Sequence, residues 1–108
     1  MRYFLVGIFA IFTLSAHAAE ALRYSVSGNQ LYSNCTSTND AQAACMGFTT
    51  GSADQLSLDS KICASAEVTR GQIMDIVKTY LERNPELRHY PAAMLASAAL
   101  RQALPCAK

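Results

Sequence analysis

The sequence predicts a small all-α domain of four helices, built on a helical hairpin and cross-linked by two disulfides. Three observations support this fold class: apolar residues recur at helical spacing, no segment alternates like a strand, and the short chain has four cysteines. A chain of 108 residues forms one domain at most. Because so small a domain buries a modest core, we expect the disulfides to contribute much of its stability.

The N-terminal segment is predicted to be a secretory signal peptide. Residues 1–18 contain a positive charge at Arg2, an apolar run after it, and an A-x-A-like cleavage site at the end. We expect cleavage after Ala18, or alternatively after Ala21, which leaves residues 19–108 as the mature domain. The apolar run is too short for a membrane anchor, so the mature form is predicted to have no membrane span.

The mature chain is predicted to have a net charge near zero. Nine Lys/Arg in the full chain become eight once Arg2 is removed, against eight Asp/Glu. No basic surplus or basic run remains to attract a polyanion. We therefore predict no nucleic-acid partner.

The first two helices are predicted on either side of a short polar turn. Residues 27–35 form a short helix with Leu31 and Tyr32 facing inward. Asn39 is suited to cap a second helix over residues 40–56 or a little beyond. The predicted core face of this second helix consists of residues at helical spacing: Ala41, Ala44, Cys45, Phe48, Ser52 and Leu56.

Two glycines four residues apart, Gly47 and Gly51, interrupt the second helix. Each costs about 1 kcal/mol of helix stability relative to alanine, so their presence needs a local reason. The favoured interpretation is the close approach of another helix. The alternative is a helix break that forms an exposed recognition loop.

The third and fourth helices have clear boundaries. Thr69 and Gln72 form a T-x-x-Q capping box, and Pro85 ends the third helix because the residue before a proline disfavours helical geometry. Pro91 suits the first turn of the fourth helix, and Pro105 ends it. The predicted core positions are Ile73, Ile76, Val77, Tyr80 and Leu81 in the third helix and Met94, Leu95, Ala98 and Leu104 in the fourth.

Four cysteines, Cys35, Cys45, Cys63 and Cys106, allow three disulfide pairings. Helix-end geometry favours Cys35–Cys45 across the first turn and Cys63–Cys106 across the base of the hairpin. The second choice pairs Cys35 with Cys63 and Cys45 with Cys106. The third needs a Cys45–Cys63 bond, which a straight second helix disfavours by separating them by about 20 Å or more. Zinc binding is less favoured, because the spacings are long and irregular.

No catalytic constellation is recognisable in the sequence. The only mature histidine, His89, falls in the turn between the hairpin helices, where a surface role suits it better than general-base chemistry. The acidic residues are dispersed, and Gly47 and Gly51 lack the continuation of a phosphate-binding loop. We predict that the protein is not an enzyme and uses no cofactor or metal.

The turn at residues 82–90 is the leading candidate for binding a protein partner. It is dense in Arg and Tyr, which make good interface contacts, although a hydrophilic turn with local ion pairs would have the same composition. The candidate partner-binding residues are Arg83, Arg88, His89 and Tyr90 in this turn, with Phe48 and Asp54 from the glycine-containing helix.

Four motifs occur in order: GNQLYSNC, CMGFTTGSAD, a helix with VTRGQ and YLERNPE, and a terminal PC. Together with all four cysteines they resemble the Rap/Tai family of small periplasmic immunity proteins, which is associated with type VI secretion amidase effectors. The resemblance covers nearly the whole mature chain. Two positions depart from it: residues 64–66 lack a proline that the family often shows there, and Thr49 replaces a usually aliphatic residue.

The resemblance implies a periplasmic, all-helical protein that can form a homodimer. It also implies stoichiometric inhibition without turnover, in which the protein occludes the active-site groove of a toxic peptidoglycan amidase. An alternative of a different class is a small periplasmic helical chaperone or stress protein with no dedicated toxin partner.

Overall fold

The computed structural model describes residues 26–107, and this part of the chain has the predicted all-α fold with no strand. The helices are α1 (Gly28–Thr36), α2 (Asp40–Leu58), α3 (Arg70–Arg83) and α4 (Ala92–Ala103), with a 3₁₀ helix at Pro85–Leu87 before α4. The predicted signal peptide and both cleavage positions lie outside the described residues. Within those residues, no helix combines the length and apolarity that a membrane crossing needs.

Side-chain caps begin the first three helices. The side chains of Ser27 and Asn39 accept hydrogen bonds from backbone amides in the first turns of α1 and α2, at 3.1 and 3.0 Å. The predicted capping box of α3 is confirmed: Thr69 Oγ1 accepts from the Gln72 amide at 3.1 Å, and Gln72 Oε1 accepts from the Thr69 amide at 2.8 Å. These bonds satisfy amides that have no partner within their own helix.

The core is drawn from all four helices and from Ile62 in the connector. The predicted stripe of α3 is confirmed, since Ile73, Val77 and Leu81 are buried and its other members are partly buried. The remaining buried apolar side chains are Leu31, Cys35, Cys45, Ala53, Ile62, Met74, Ala92, Leu95, Ala96, Ala99 and Leu100.

The buried face of α2 differs in part from the prediction. Its buried residues are Cys45, Thr49 and Ala53, which follow one another at four-residue intervals. Of the other predicted core positions, Ala44 is exposed, and Ala41, Phe48, Ser52 and Leu56 are only partly buried. Because most side chains of α2 are small, its faces differ little in hydrophobicity, and the sequence does not identify the inward face. The face that includes the disulfide-bonded Cys45 is the one that is buried.

Thr49 is the one polar residue among the fully buried side chains of the described part of the chain. Its hydroxyl donates to the carbonyls of Cys45 at 2.9 Å and Met46 at 3.2 Å. The hydroxyl is therefore hydrogen-bonded within α2. Because it has these partners, Thr49 can be buried at a position where the family usually has an aliphatic residue.

Both interpretations of Gly47 and Gly51 are wrong. Helix α2 is continuous through them, so there is no break. A Cβ at either position would meet no atom within 4 Å, so no helix among residues 26–107 approaches them closely. The close approach is at Gly28 instead. A Cβ there would lie 2.7 Å from the carbonyl oxygen and 2.9 Å from the Cα of Arg88, and would overlap the side chain of Leu95.

A Gly28→Ala variant is expected to lose about 1–3 kcal/mol of unfolding free energy, because the added methyl has no space beside the Arg88 backbone. Gly51→Ala is the matched control and is expected to gain up to about 1 kcal/mol, since Gly51 lies exposed within a helix. Urea denaturation followed by circular dichroism measures both. Equal changes in the two variants would contradict this account of the packing.

The buried face of α4 also departs from the prediction. Leu95 is buried and Leu104 partly buried as expected, but Met94 is 51% exposed and Ala98 is exposed. The sequence of α4 is apolar around most of its circumference, so the spacing alone does not identify the inward face. The helix begins at Ala92, and the predicted helix-starting proline, Pro91, occupies the N-cap position just before it.

The favoured disulfide pairing is confirmed. Cys35 and Cys45 are bonded, with Cα atoms 5.0 Å apart, and Cys63 and Cys106 are bonded, with Cα atoms 4.8 Å apart. The first bond joins α1 to α2 and is buried, whereas Cys63 of the second is exposed. Two disulfides in so small a domain indicate an oxidising compartment.

Candidate partner-binding site

The inter-helix turn, residues 84–91, connects α3 to α4 at the end of the hairpin opposite the Cys63–Cys106 bridge. It begins where Asn84 ends α3: the backbone amide and side-chain amide of Asn84 both donate to the Tyr80 carbonyl, at 3.1 and 2.8 Å. The 3₁₀ helix Pro85–Leu87 follows and sets the direction of the last four residues of the turn.

The side chain of Arg88 points into the molecule. Its Nε donates to the Leu81 carbonyl at 2.7 Å and its guanidinium also reaches the Glu82 carbonyl at 3.4 Å. The guanidinium carbon lies 3.7 Å from the centre of the Tyr32 ring, within the range of a cation–π interaction. Arg88 is therefore only partly exposed, and its charge faces helix α1.

The backbone of the turn is bonded to the start of α1. The amide of Gly28 donates to the Tyr90 carbonyl at 2.9 Å, and the amide of Asn29 donates to the Arg88 carbonyl at 2.8 Å. On the other side, the first amide of α4, that of Ala92, donates to the Val26 carbonyl at 2.9 Å. The end of the turn and the start of α4 are thus both bonded to residues 26–29, at and just before the start of α1.

His89 and Tyr90 are the exposed side chains among the last four residues of the turn, since Arg88 and Pro91 are only partly exposed. Tyr90 is 42% exposed, and the centres of the two rings are 4.2 Å apart. Met94, four residues after Tyr90, is exposed as well. The exposed aromatic pair therefore stands on a backbone that is fixed by hydrogen bonds.

The other candidate residues lie in three separate grooves. Arg83 is exposed at a groove of about 590 Å³ between α3 and α4, beside Asn84. Phe48 lines an apolar groove of about 360 Å³ between α2 and the start of α4. Asp54 is exposed at a groove of about 270 Å³ between α2 and the start of α3.

The structure therefore brings Arg88, His89 and Tyr90 together and separates Asp54 from them. Asp54 lies beside the start of α3, whereas the turn follows its end, and a helix of 14 residues is about 21 Å long. Sequence reasoning did not identify Gly28 and Tyr32 as partners of the turn, and no local signal could have done so, because they lie about 60 residues earlier in the chain.

The chemistry available elsewhere in the described residues is limited. Within residues 26–107, no group of three or more His, Cys, Asp or Glu side chains is arranged to hold a metal ion. The geometry of the turn, an exposed aromatic pair on a fixed backbone, is suited to contact with a protein surface.

The comparisons with known proteins agree with the sequence motifs. No curated protein and no solved structure is significantly similar to this chain. A family model described as Rap1a immunity proteins matches residues 27–106, which includes all four helices and all four cysteines. The chain therefore belongs to the Rap1a immunity protein family.

Proposed function

We propose that this protein neutralises a type VI secretion peptidoglycan amidase by binding it one-to-one and occluding its active-site groove. Residues 1–18 direct its export and residues 19–108 act in the periplasm. Family membership supports the immunity role, and the two disulfides fit an oxidising compartment. The protein works without turnover, so its protective effect depends on slow dissociation of the complex.

The exposed pair of His89 and Tyr90 carries the proposal that the inter-helix turn is the main contact. Aromatic side chains supply a large contact area for few rotatable bonds, so their ordering on binding costs little. The turn backbone is already held by α1, which lowers the cost of binding further. Two exposed aromatic side chains on a fixed backbone are suited to fill an enzyme's groove.

The remaining candidates extend this surface to different degrees. Phe48 lies in the groove beside the start of α4, which begins two residues after Tyr90, and so it can border the same contact. Arg83 precedes the turn and is exposed to a partner that reaches over α3. Asp54 is a secondary candidate, because it lies near the other end of α3.

Co-expression in cells tests the proposed function. A peptidoglycan amidase effector from the source organism's type VI secretion system is directed to the periplasm, with or without this protein carrying its own signal. We expect lysis with the amidase alone and growth when both are present. Lysis at full expression of this protein, for every such amidase of the source organism, would contradict the proposal.

Replacing Tyr90 by alanine is expected to weaken binding of the amidase at least about 30-fold, the loss expected for an aromatic hot spot. The matched control is Leu58→Ala, which removes an apolar side chain that is 80% exposed at the end of α2. Biolayer interferometry with a catalytically inactive amidase measures both variants. If Tyr90→Ala binds like Leu58→Ala, the turn is not the main contact.

The chaperone alternative and the predicted homodimer can each be tested with the same purified proteins. A chaperone or stress protein would protect many unfolded clients from aggregation without a defined stoichiometry, and its protection would not depend on Tyr90. The homodimer that the family resemblance implies is tested by sedimentation velocity of the mature protein, alone and with the amidase.

A further inference from the structure

Arg88 and the start of α1 satisfy one another's unpaired groups. The first amides of a helix and its last carbonyls have no partner within the helix. The carbonyls of Arg88 and Tyr90 supply acceptors for the first two amides of α1. In return, the helix start fixes the backbone of the two residues that flank His89.

The Arg88 side chain makes the corresponding connection to the end of α3. Its donors reach the Leu81 and Glu82 carbonyls, which belong to the last turn of that helix. A cation at this position is also favoured by the helix dipole, which is negative at the C-terminus. The Tyr32 ring covers the guanidinium from the side of α1, and its face attracts the same charge.

Gly28 permits this arrangement. Helix α1 can approach the turn only because its first residue has no side chain: a Cβ there would lie 2.7 Å from the Arg88 carbonyl oxygen. The contact is therefore made by two parts of the chain that are distant in sequence, the start of α1 and the turn with the end of α3, and each limits how the other can move.

We propose that Gly28, Tyr32 and Arg88 are positioning residues that hold the inter-helix turn in its binding conformation, before the partner arrives. Without the Tyr32 ring, Arg88 can leave the end of α3, and the turn can separate from α1. The backbone beside His89 and Tyr90 then samples other conformations, and only a fraction of molecules is ready to bind. This inference rests on the proposed function for its effect on affinity, but its structural part does not.

Amide hydrogen exchange measured by NMR tests the structural part without a partner. The variant is Tyr32→Leu, which keeps an apolar side chain but removes the aromatic face, and the control is Tyr32→Phe, which keeps that face. We expect exchange at Gly28 and Asn29 to become about tenfold faster in Tyr32→Leu and to stay as in the wild type in Tyr32→Phe. Exchange at Val77, a buried residue of α3, should not change.

Two results would overturn the inference. One is unchanged exchange at Gly28 and Asn29 in Tyr32→Leu. The other is an equal increase at these amides and at Val77, which would mean that Tyr32 contributes only to overall stability. Arg88→Lys provides a second variant that keeps the charge but loses the planar fork. It should accelerate exchange at the same two amides.

Binding kinetics with an inactive amidase test the effect on affinity. A positioning residue changes the fraction of binding-ready molecules, so Tyr32→Leu should lower the association rate constant about tenfold and leave dissociation unchanged. A contact residue acts mainly on dissociation, as expected for Tyr90→Ala. If Tyr90→Ala has no effect, the proposed binding surface is wrong. If Tyr90→Ala weakens binding and Tyr32→Leu does not change association, only the positioning inference is wrong.

Discussion

Replacing Cys63 and Cys106 together by alanine is expected to lower the free energy of unfolding by about 4 kcal/mol. This disulfide closes a loop of 43 residues that contains α3 and α4, so its loss frees a long segment in the unfolded chain. The total stability of domains is about 5–15 kcal/mol, so the variant should be close to unfolding at 37 °C. Urea denaturation of both forms at 25 °C measures the difference.

The other disulfide, Cys35–Cys45, is expected to stabilise the domain in a different way. The Cys35–Cys45 bond closes a loop of only 10 residues, for which the chain-entropy model gives about 3 kcal/mol. Its sulfurs are buried, however, so alanines at these positions also lose core packing. A change below about 1 kcal/mol for the Cys63/Cys106 variant would contradict the account, because packing alone would then hold the base of the hairpin.

Leu100→Ala is expected to destabilise the domain by about 3 kcal/mol, through lost burial and the cavity left behind. Leu100 is fully buried in α4, among the alanines of that helix. Ala96, one turn earlier in α4, is also fully buried, and its methyl group cannot extend into the space left by the leucine. Thermal and urea denaturation of the purified variant measure the loss.

The control for this variant is Leu58→Ala, the same substitution at a residue that is 80% exposed at the end of α2. Both positions are helical, so differences in helix propensity largely cancel. The control should change stability by no more than about 0.5 kcal/mol. Similar losses at both positions would mean that the core does not depend on Leu100 in the way its burial indicates.

The elements that the sequence predicts well are those whose signals are local and redundant. Helix α3 has a capping box at Thr69 and Gln72, large apolar residues at helical spacing, and a proline after its end, and all of these agree. Helices α2 and α4 lack such contrast. Where alanine, serine and threonine occupy most positions, the inward face is decided by non-local packing, such as the bond at Cys45 or the fit of Leu95 against Gly28.

The sequence predicts where the inter-helix turn lies, but it does not predict how the turn is held in place. The composition of residues 82–90 identifies the turn, and the exposure of His89 and Tyr90 agrees with a surface role. The inward-pointing side chain of Arg88 contacts the ring of Tyr32, 56 positions earlier in the chain. No spacing rule connects two such residues. From the sequence alone, Arg88 is therefore as good a candidate for contacting a partner as His89 and Tyr90.

The proposed mechanism is tested most directly by titrating amidase activity with the purified mature protein, at an amidase concentration far above the dissociation constant. Stoichiometric occlusion predicts that peptidoglycan hydrolysis falls linearly with added protein and reaches zero at one equivalent. It also predicts that Tyr90→Ala replaces this sharp endpoint with a shallow curve. Full activity at several equivalents of wild-type protein, or inhibition at far less than one equivalent, would contradict it.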